Sequence, residues 1–409
     1  MDIKITPGKL KGKVVVPPSK SQAHRLIIAA ALADGESRIE NLSMSKDISA
    51  TISCMQALGA GIEVCGSTAV IKGVDKPSEK AVLDCCESGS TLRFLMPVAA
   101  ALGTNAEFKG QGKLPDRPIT PYLDELPKHG IRFNYNNTMP FEISGRLRPG
   151  KYHTSGNISS QFITGLLFGL AVTEGESEII LTSKLESKPY VDITTAVLRD
   201  FGCEVTPTEN GYRISGRRSL RPFNARVEGD YSQAAFFYAA NALGSDIEIE
   251  GLNVKSFQGD KKIVEIFSDM VYNRKNGLNS FDLDCSDIPD LVPALAVMGA
   301  FADGESRIFN AARLRIKESD RIASTVSLIN FLGGQAVPTD DGLVITGKEE
   351  LSGGEVDACN DHRIAMAAAA ASVGCKAEVL VRGAECVSKS YPDFWDVFRS
   401  LGGRIEVVG

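Results

Sequence analysis

The sequence predicts an α/β protein of two domains, assembled from six copies of one βαβαββ unit. Three observations point there. A chain of 409 residues exceeds what one ordinary core accommodates. The phrase Ala31-Leu-Ala-Asp-Gly-Glu-Ser-Arg-Ile39 returns as Ala300-Phe-Ala-Asp-Gly-Glu-Ser-Arg-Ile308, with looser copies at Ala171, Ala101, Ala242 and Ser372. The glycines of these copies, Gly35, Gly103, Gly175, Gly244, Gly304 and Gly374, are spaced by 68, 72, 69, 60 and 70 residues. A solenoid would repeat every 20–50 residues or so, a shorter period than this.

Each copy reads in the same order. An apolar helix comes first, as in His24–Ala33, Leu92–Leu102 and Phe162–Val172, and stops at the repeat glycine. A β-rich stretch follows, for example Ser37–Leu42 or Glu178–Thr182. A second, amphipathic helix then ends at Gly59, Gly130, Gly202, Gly333 or Gly402. Two short strands close the unit, as in Cys203–Thr206 and Tyr212–Ser215 around the turn residues Asn210-Gly211. The fourth copy is short and lacks a clear second glycine.

Composition narrows the function. The chain is 43% hydrophobic and 23% charged, which excludes wholesale disorder. Lys plus Arg number 45 against 51 Asp plus Glu, a net charge of -6 that argues against a nucleic-acid protein. No apolar run is long enough to span a membrane, and the start Met1-Asp2-Ile3-Lys4 lacks signal-peptide character, so a cytoplasmic location is expected. The nine cysteines form no C-x-x-C pair and read as reduced core thiols; no metal site is expected.

The helix starts carry the chemical signal. First helices open after Ser19-Lys20-Ser21, Ser88-Gly89-Ser90-Thr91, Ser159-Ser160-Gln161, Tyr231-Ser232-Gln233, Pro289-Asp290 and Asp361-His362-Arg363. Second helices open near Lys46-Asp47, Arg117-Pro118, Lys188-Pro189-Tyr190, Lys261-Lys262, Lys317-Glu318-Ser319-Asp320-Arg321 and Lys389-Ser390-Tyr391-Pro392. Ser, Asp and Pro are ordinary caps and first-turn residues. Lys and Arg are not, because a cation beside the positive end of a helix costs about 0.3–1 kcal/mol. One such residue is a solvated side chain. Repeated through the units, they mark a pocket for anions. Asp290 and Glu318 supply carboxylates for acid–base chemistry among those cations, although each also suits a capping role. No Walker loop, dinucleotide fingerprint or nucleophile elbow appears.

Eight motifs in order then resemble a known family. They are Pro18-Ser-Lys-Ser-Gln-Ala-His-Arg25, Glu87-Ser-Gly-Ser-Thr-Leu-Arg93, Asp116-Arg-Pro118, Ser159-Ser-Gln161, Ser187-Lys-Pro-Tyr190, Lys317-Glu-Ser-Asp-Arg321, Asn360-Asp-His-Arg363 and Ser388-Lys389. Along essentially the whole chain this is similar to the 5-enolpyruvylshikimate-3-phosphate (EPSP) synthases among the enolpyruvyl transferases. The resemblance implies a two-domain inside-out α/β barrel with three units per domain. Residues 1–16 and 228–409 would form one domain and residues 17–227 the other, with the active site in the interdomain cleft. The chain would cross near Val14–Pro18 and Arg226–Gly229.

It further implies transfer of the enolpyruvyl group of phosphoenolpyruvate to the 5-hydroxyl of shikimate 3-phosphate, without cofactor or covalent enzyme intermediate. Ser159, Ser160 and Ser187 would hold the phosphate of shikimate 3-phosphate; Ser21, Arg25, Gln161, Tyr190, Asp290 and Lys317 would hold its ring, hydroxyls and carboxylate. Lys20, Gly89, Ser90, Arg93, Arg117, Gln161, Arg321, Arg363 and Lys389 would surround phosphoenolpyruvate. Glu318 would handle the C3 proton, Asp290 with Lys20 the hydroxyl proton, and His362 would support Glu318 or the departing phosphate. Glu87, Lys113 and Arg313 depart from residues common in the family and touch only fine contacts. A monomer acting on two small molecules is expected, with no nucleic acid or membrane partner.

Two rivals are weaker. UDP-N-acetylglucosamine 1-carboxyvinyltransferases carry a reactive cysteine in the loop before their Arg-Pro, whereas here that loop is Gly110-Gln-Gly-Lys-Leu-Pro-Asp-Arg117. RNA 3'-phosphate cyclases use related units, but a nucleic-acid protein should be basic and rich in stacking aromatics. This chain is acidic, 7% aromatic, and has one tryptophan, Trp395.

Overall fold

One sheet pattern recurs through the chain. A leading strand runs parallel to a second, the last strand pairs antiparallel with that second, and the third lies outermost. Lys80–Asp84, Asn105–Lys109, Phe141–Gly145 and Ile131–Asn134 stand side by side in that order. The same order holds for Lys151–Thr154, Gly175–Leu181, Gly211–Gly216 and Val205–Thr208. Parallel neighbours need a crossover, and a helix supplies it each time. The computed structural model describes residues 1–217, 219–271 and 277–409; among these, five sheets have four strands. The fourth copy is the reduced one, where Lys11–Val15 pairs only with Asp246–Glu250 and Leu278–Asn279 pairs with Ala302–Asp303.

The chain divides into two compact units, Met1–Pro17 with Gly229–Gly409, and Pro18–Glu228. Each borrows a strand across its own sequence. Ile3–Thr6 lies between Val379–Arg382 and Arg404–Val407 and completes the last copy. Ala225–Arg226 pairs with Glu36–Glu40 and leads the first.

The first helix of each copy is buried nearly all round, which explains why its sequence is apolar rather than amphipathic. Every residue of Leu92–Ala101 is buried, including Pro97, as is every residue of Phe162–Ala171. These two helices, Gly89–Leu102 and Ser160–Ala171, meet backbone to backbone at Gly165 and Gly169, where a Cβ would strike the carbonyls of Arg93 and Pro97. That approach sets Arg93 beside Gln161.

Several element ends differ from expectation. Of the six repeat glycines only Gly103 is itself the left-handed cap of its helix. Gly35, Gly175 and Gly304 turn the chain a few residues later, at positive φ, and Gly374 has no positive φ at all. It is small because Phe301 packs where its side chain would be. The second helix of the last copy does not open at Lys389. That residue ends the 3-10 turn Ala384–Lys389, and the helix spans Phe394–Ser400. Likewise the helix after Arg117-Pro118 begins at Thr120. The cysteines are all free, but the core reading fails for three of them: Cys65 is exposed, and Cys86 and Cys359 are half-buried at positive φ in turns. Among the described residues no helix is long and apolar enough to cross a membrane.

Candidate active site

In Pro18–Glu228 four of the helices open on a serine cap. Ser19 caps Lys20–Ala31, Ser45 caps Lys46–Ala57, Ser88 caps Gly89–Leu102, and Ser159 caps Ser160–Ala171. A buried polar chain ties three of these helices together. His24 Nδ1 meets Thr51 Oγ1 at 2.7 Å, Thr51 Oγ1 meets Thr91 Oγ1 at 2.7 Å, and the Thr91 hydroxyl donates to Ser88 Oγ at 2.8 Å. Burial holds His24 well below the usual imidazole range, so it is neutral there.

Around this frame the cations gather. Lys20 Nζ is 2.9 Å from Asp47 Oδ2. Arg93 donates to Gln161 Oε1 at 2.7 Å and to the Pro118 carbonyl at 3.0 Å, and Gln161 Nε2 donates to Ser90 Oγ at 3.0 Å. Arg117 is 8% exposed, makes no ion pair among the described residues, and its Nε has no hydrogen-bond partner there. Its guanidinium lies where a Gly89 Cβ would be, 2.6 Å from Cζ, so the glycine is what lets it in. Arg25 is deeper. It donates to Thr194 Oγ1 at 2.7 Å, Thr164 Oγ1 at 3.3 Å and the carbonyls of Ser21 at 2.6 Å and Tyr190 at 2.9 Å. Burial pushes it down to about 9. With most of its donors spent inside the unit, Arg25 mainly braces Ser21 and Tyr190.

Ser187 precedes the helix Lys188–Asp200 at φ 56 and ψ 36, a left-handed conformation costly for serine, and its hydroxyl does not cap the helix. That conformation sets Ser187 apart from the ordinary serine caps of the other helices. Ser160 and Ser187 are buried, and Ser159 is half-buried.

The other unit holds a second cluster, centred on Arg321, which is 1% exposed. It donates to Asp290 Oδ1 at 3.1 Å, Glu318 Oε2 at 2.6 Å and Asp361 Oδ2 at 2.9 Å. Arg363 reaches Asp290 Oδ2 at 2.9 Å and Ser232 Oγ at 3.0 Å, and Lys317 Nζ stands 4.0 Å from Asp290 Oδ1. Burial alone would raise Asp290, but Arg363, Lys317 and Arg321 outweigh it and hold it well below the usual carboxylate range. Burial pushes Lys317 down to about 8 against the pull of Asp290. Lys389 is buried with Nζ 2.7 Å from the Asn360 carbonyl. His362 is buried too, its Nδ1 3.9 Å from Asp361 Oδ1.

Sequence reasoning assigned no role to Asp47 or Asp361. Asp361 is fully buried, holds Arg321 from two sides, accepts from Ser319 Oγ at 3.1 Å and caps the helix His362–Ser372 through the Arg363 N–H. The signal was an acid beside a basic residue at two of the helix starts, Lys46-Asp47 and Asp361-His362-Arg363. Among the described residues no group of acids, histidines and cysteines has the geometry to hold a metal.

Comparison with known proteins decides the family. The model of the EPSP synthases (3-phosphoshikimate 1-carboxyvinyltransferases) matches residues 5–398. The chain belongs to the EPSP synthase family. It is 46% identical over 419 residues to a 3-phosphoshikimate 1-carboxyvinyltransferase of Clostridium perfringens, covering 98% of each protein. One from Clostridium beijerinckii is 43% identical over 429 residues, with 99% of this chain and 98% of that protein covered. The solved EPSP synthase of Acinetobacter baumannii matches the whole of both chains with a TM-score of 0.83 at 27% identity. The enolpyruvyl transferase NikO of Streptomyces tendae shares the fold, with a TM-score of 0.81 at 19% identity over 99% of this chain and 98% of its own.

Proposed function

We propose that the enzyme uses the residues of these clusters to transfer the enolpyruvyl group of phosphoenolpyruvate to the 5-hydroxyl of shikimate 3-phosphate. The activity is that of its family. The observation that carries the assignment of residues is Arg117, a buried guanidinium with no acid among the described residues. A buried charge left alone costs several kcal/mol, so the site is built for an anion that arrives from outside. Arg117, Arg93, Ser90, Gln161 and Lys20 then bind phosphoenolpyruvate beside Gly89, and Arg321, Arg363 and Lys389 are proposed for the same substrate. Ser159, Ser160 and Ser187 take the phosphate of shikimate 3-phosphate. Ser21, Tyr190, Asp290 and Lys317 take its hydroxyls and carboxylate, with Arg25 holding Ser21 and Tyr190 in place.

In the first step the 5-hydroxyl oxygen bonds to C2 of phosphoenolpyruvate while C3 gains a proton from Glu318. In the second, the C2–O bond to phosphate breaks and Glu318 takes a proton back from C3. Asp290 is held so firmly ionised that it is a weak base; it orients the 5-hydroxyl by accepting its hydrogen bond. Lys317, at about 8, is the group beside it whose proton moves readily near neutral pH. The hydroxyl proton ends on the phosphate, which leaves as hydrogen phosphate; Lys20 steadies the charge that develops during that transfer, and His362 supports the departing group.

The test is phosphate release from phosphoenolpyruvate with shikimate 3-phosphate as acceptor, and UDP-N-acetylglucosamine in parallel. Release with the first alone is the expected result. Release with the second alone, or with neither from folded protein, overturns the reading.

A further inference from the structure

The parallel strands Lys151–Thr154 and Gly175–Leu181 each run into a segment bearing phosphate-site serines, Ser159-Ser160 on one side and Ser187 on the other. Their pairing does not stop at the strand ends. Thr182 N donates to the Thr154 carbonyl at 3.0 Å and Glu186 N to the Gly156 carbonyl at 3.0 Å. Between these two bonds side chains take over. Ser155 Oγ and Ser183 Oγ donate to Asn157 Oδ1 at 2.6 and 3.0 Å, and Gly156 N donates to Ser183 Oγ at 3.0 Å. The two serine hydroxyls also meet each other at 3.1 Å, where either can donate, so the three side chains form one closed network. Gly156 is needed here, because a Cβ would lie 2.8 Å from the carbonyl oxygens of Ser183 and Lys184.

We propose that Asn157 and Ser183 form a latch that sets the distance between Ser159-Ser160 and Ser187, and so are positioning residues for the phosphate of shikimate 3-phosphate. The inference rests on the reading of those serines as phosphate ligands. Three rigid oxygens must converge on one tetrahedral group, and the covalent path from Ser160 to Ser187 runs the length of a helix and a strand. The latch is the short path. It lies at the surface, with Asn157 exposed, so breaking it should leave the fold intact.

The experiment is steady-state kinetics of Asn157→Ala, Ser183→Ala, Ser183→Thr and Ser187→Ala in the full chain, with thermal melts. A surface network of this kind predicts that Asn157→Ala and Ser183→Ala each raise KM for shikimate 3-phosphate by about 5- to 10-fold. The values of kcat and of KM for phosphoenolpyruvate should stay within about 2-fold, and Ser183→Thr should restore wild-type KM. The double variant should be little worse than either single one, since both act through one network. Unchanged KM in the latch variants, while Ser187→Ala raises it, overturns the latch and leaves the phosphate reading standing. Unchanged KM in Ser187→Ala overturns the phosphate reading, and the latch with it.

Discussion

Adding one methyl group at Gly89 tests the phosphoenolpyruvate assignment directly. The backbone there has no positive φ, so alanine is conformationally acceptable, and as the first helical residue it is slightly preferred. The obstacle is Arg117. The new Cβ would fall 2.6 Å from Cζ and Nη1 and 2.7 Å from Nη2, and ordinary contact begins near 3.4 Å. The guanidinium must therefore retreat by roughly 0.8 Å, enough to stretch a charge-assisted bond of about 2.8 Å beyond useful range. Losing such a bond costs about 1.5–3 kcal/mol, which corresponds to a 10- to 150-fold rise in KM for phosphoenolpyruvate. Because the displaced group ends a flexible side chain, the melting temperature should move by no more than about 4 °C. Phosphate-release kinetics at saturating shikimate 3-phosphate measure the effect. A Gly89→Ala enzyme with wild-type KM for phosphoenolpyruvate would show that Arg117 does not touch that substrate.

Lys317 gives a pH signature. Its folded value of about 8 lies below the ordinary lysine range, so the folded protein binds fewer protons than the unfolded chain between the two, and stability rises with pH across that window. Affinity runs the other way, because the anionic substrate needs the protonated amine: KM for shikimate 3-phosphate should rise as pH passes about 8, and Lys317→Arg should remove that break. Ser187→Gly relieves the left-handed strain at φ 56 yet deletes a hydroxyl. Melting temperature should hold or climb while KM for shikimate 3-phosphate rises, and an unchanged KM would deny the serine a binding role. Glu318→Gln should cut kcat by about 10²- to 10⁴-fold with both KM values largely kept; near-normal turnover would remove Glu318 from the C3 proton transfers.

Much of the architecture was readable because glycine spacing survives where side chains diverge. Gly103 and Gly59 sit at positive φ whatever packs around them, so they mark the repeat even where the phrase itself has eroded. Gly374 shows the limit. Its smallness answers to Phe301, a contact 73 residues away in sequence that no local pattern announces. The same limit governs the site. Basic residues at helix starts pointed to anion binding, yet Arg321 is largely neutralised by Asp290, Glu318 and Asp361, and Lys20 by Asp47, all within their own units. Arg117 and Arg321 look alike in sequence. What separates them is whether the fold delivers a carboxylate, and for Arg321 two of the three come from residues 31 and 40 positions away, Glu318 alone being a neighbour in sequence. The repeat puts a helix start near Lys389-Ser390-Tyr391-Pro392, but the chain inserts a 3-10 turn first.

The strand Ile3–Thr6 also has a consequence for synthesis. Its two neighbours in the sheet, Val379–Arg382 and Arg404–Val407, are made more than about 370 residues later. At translation rates of roughly 5–20 residues per second, the strand waits for about 20–80 s before either edge can be satisfied. Pro18–Glu228 is contiguous and can close in the meantime. The nascent chain therefore carries a finished unit flanked by an orphan strand whose Ile3 and Ile5 have nothing to cover them, and that interval is when it is most exposed to strand-to-strand aggregation. A circular permutant that moves residues 1–17 to the far end, after Gly409, would make each unit contiguous and abolish the wait. Asp2 N already donates to the Gly409 carbonyl at 3.0 Å, so a short linker would span the join.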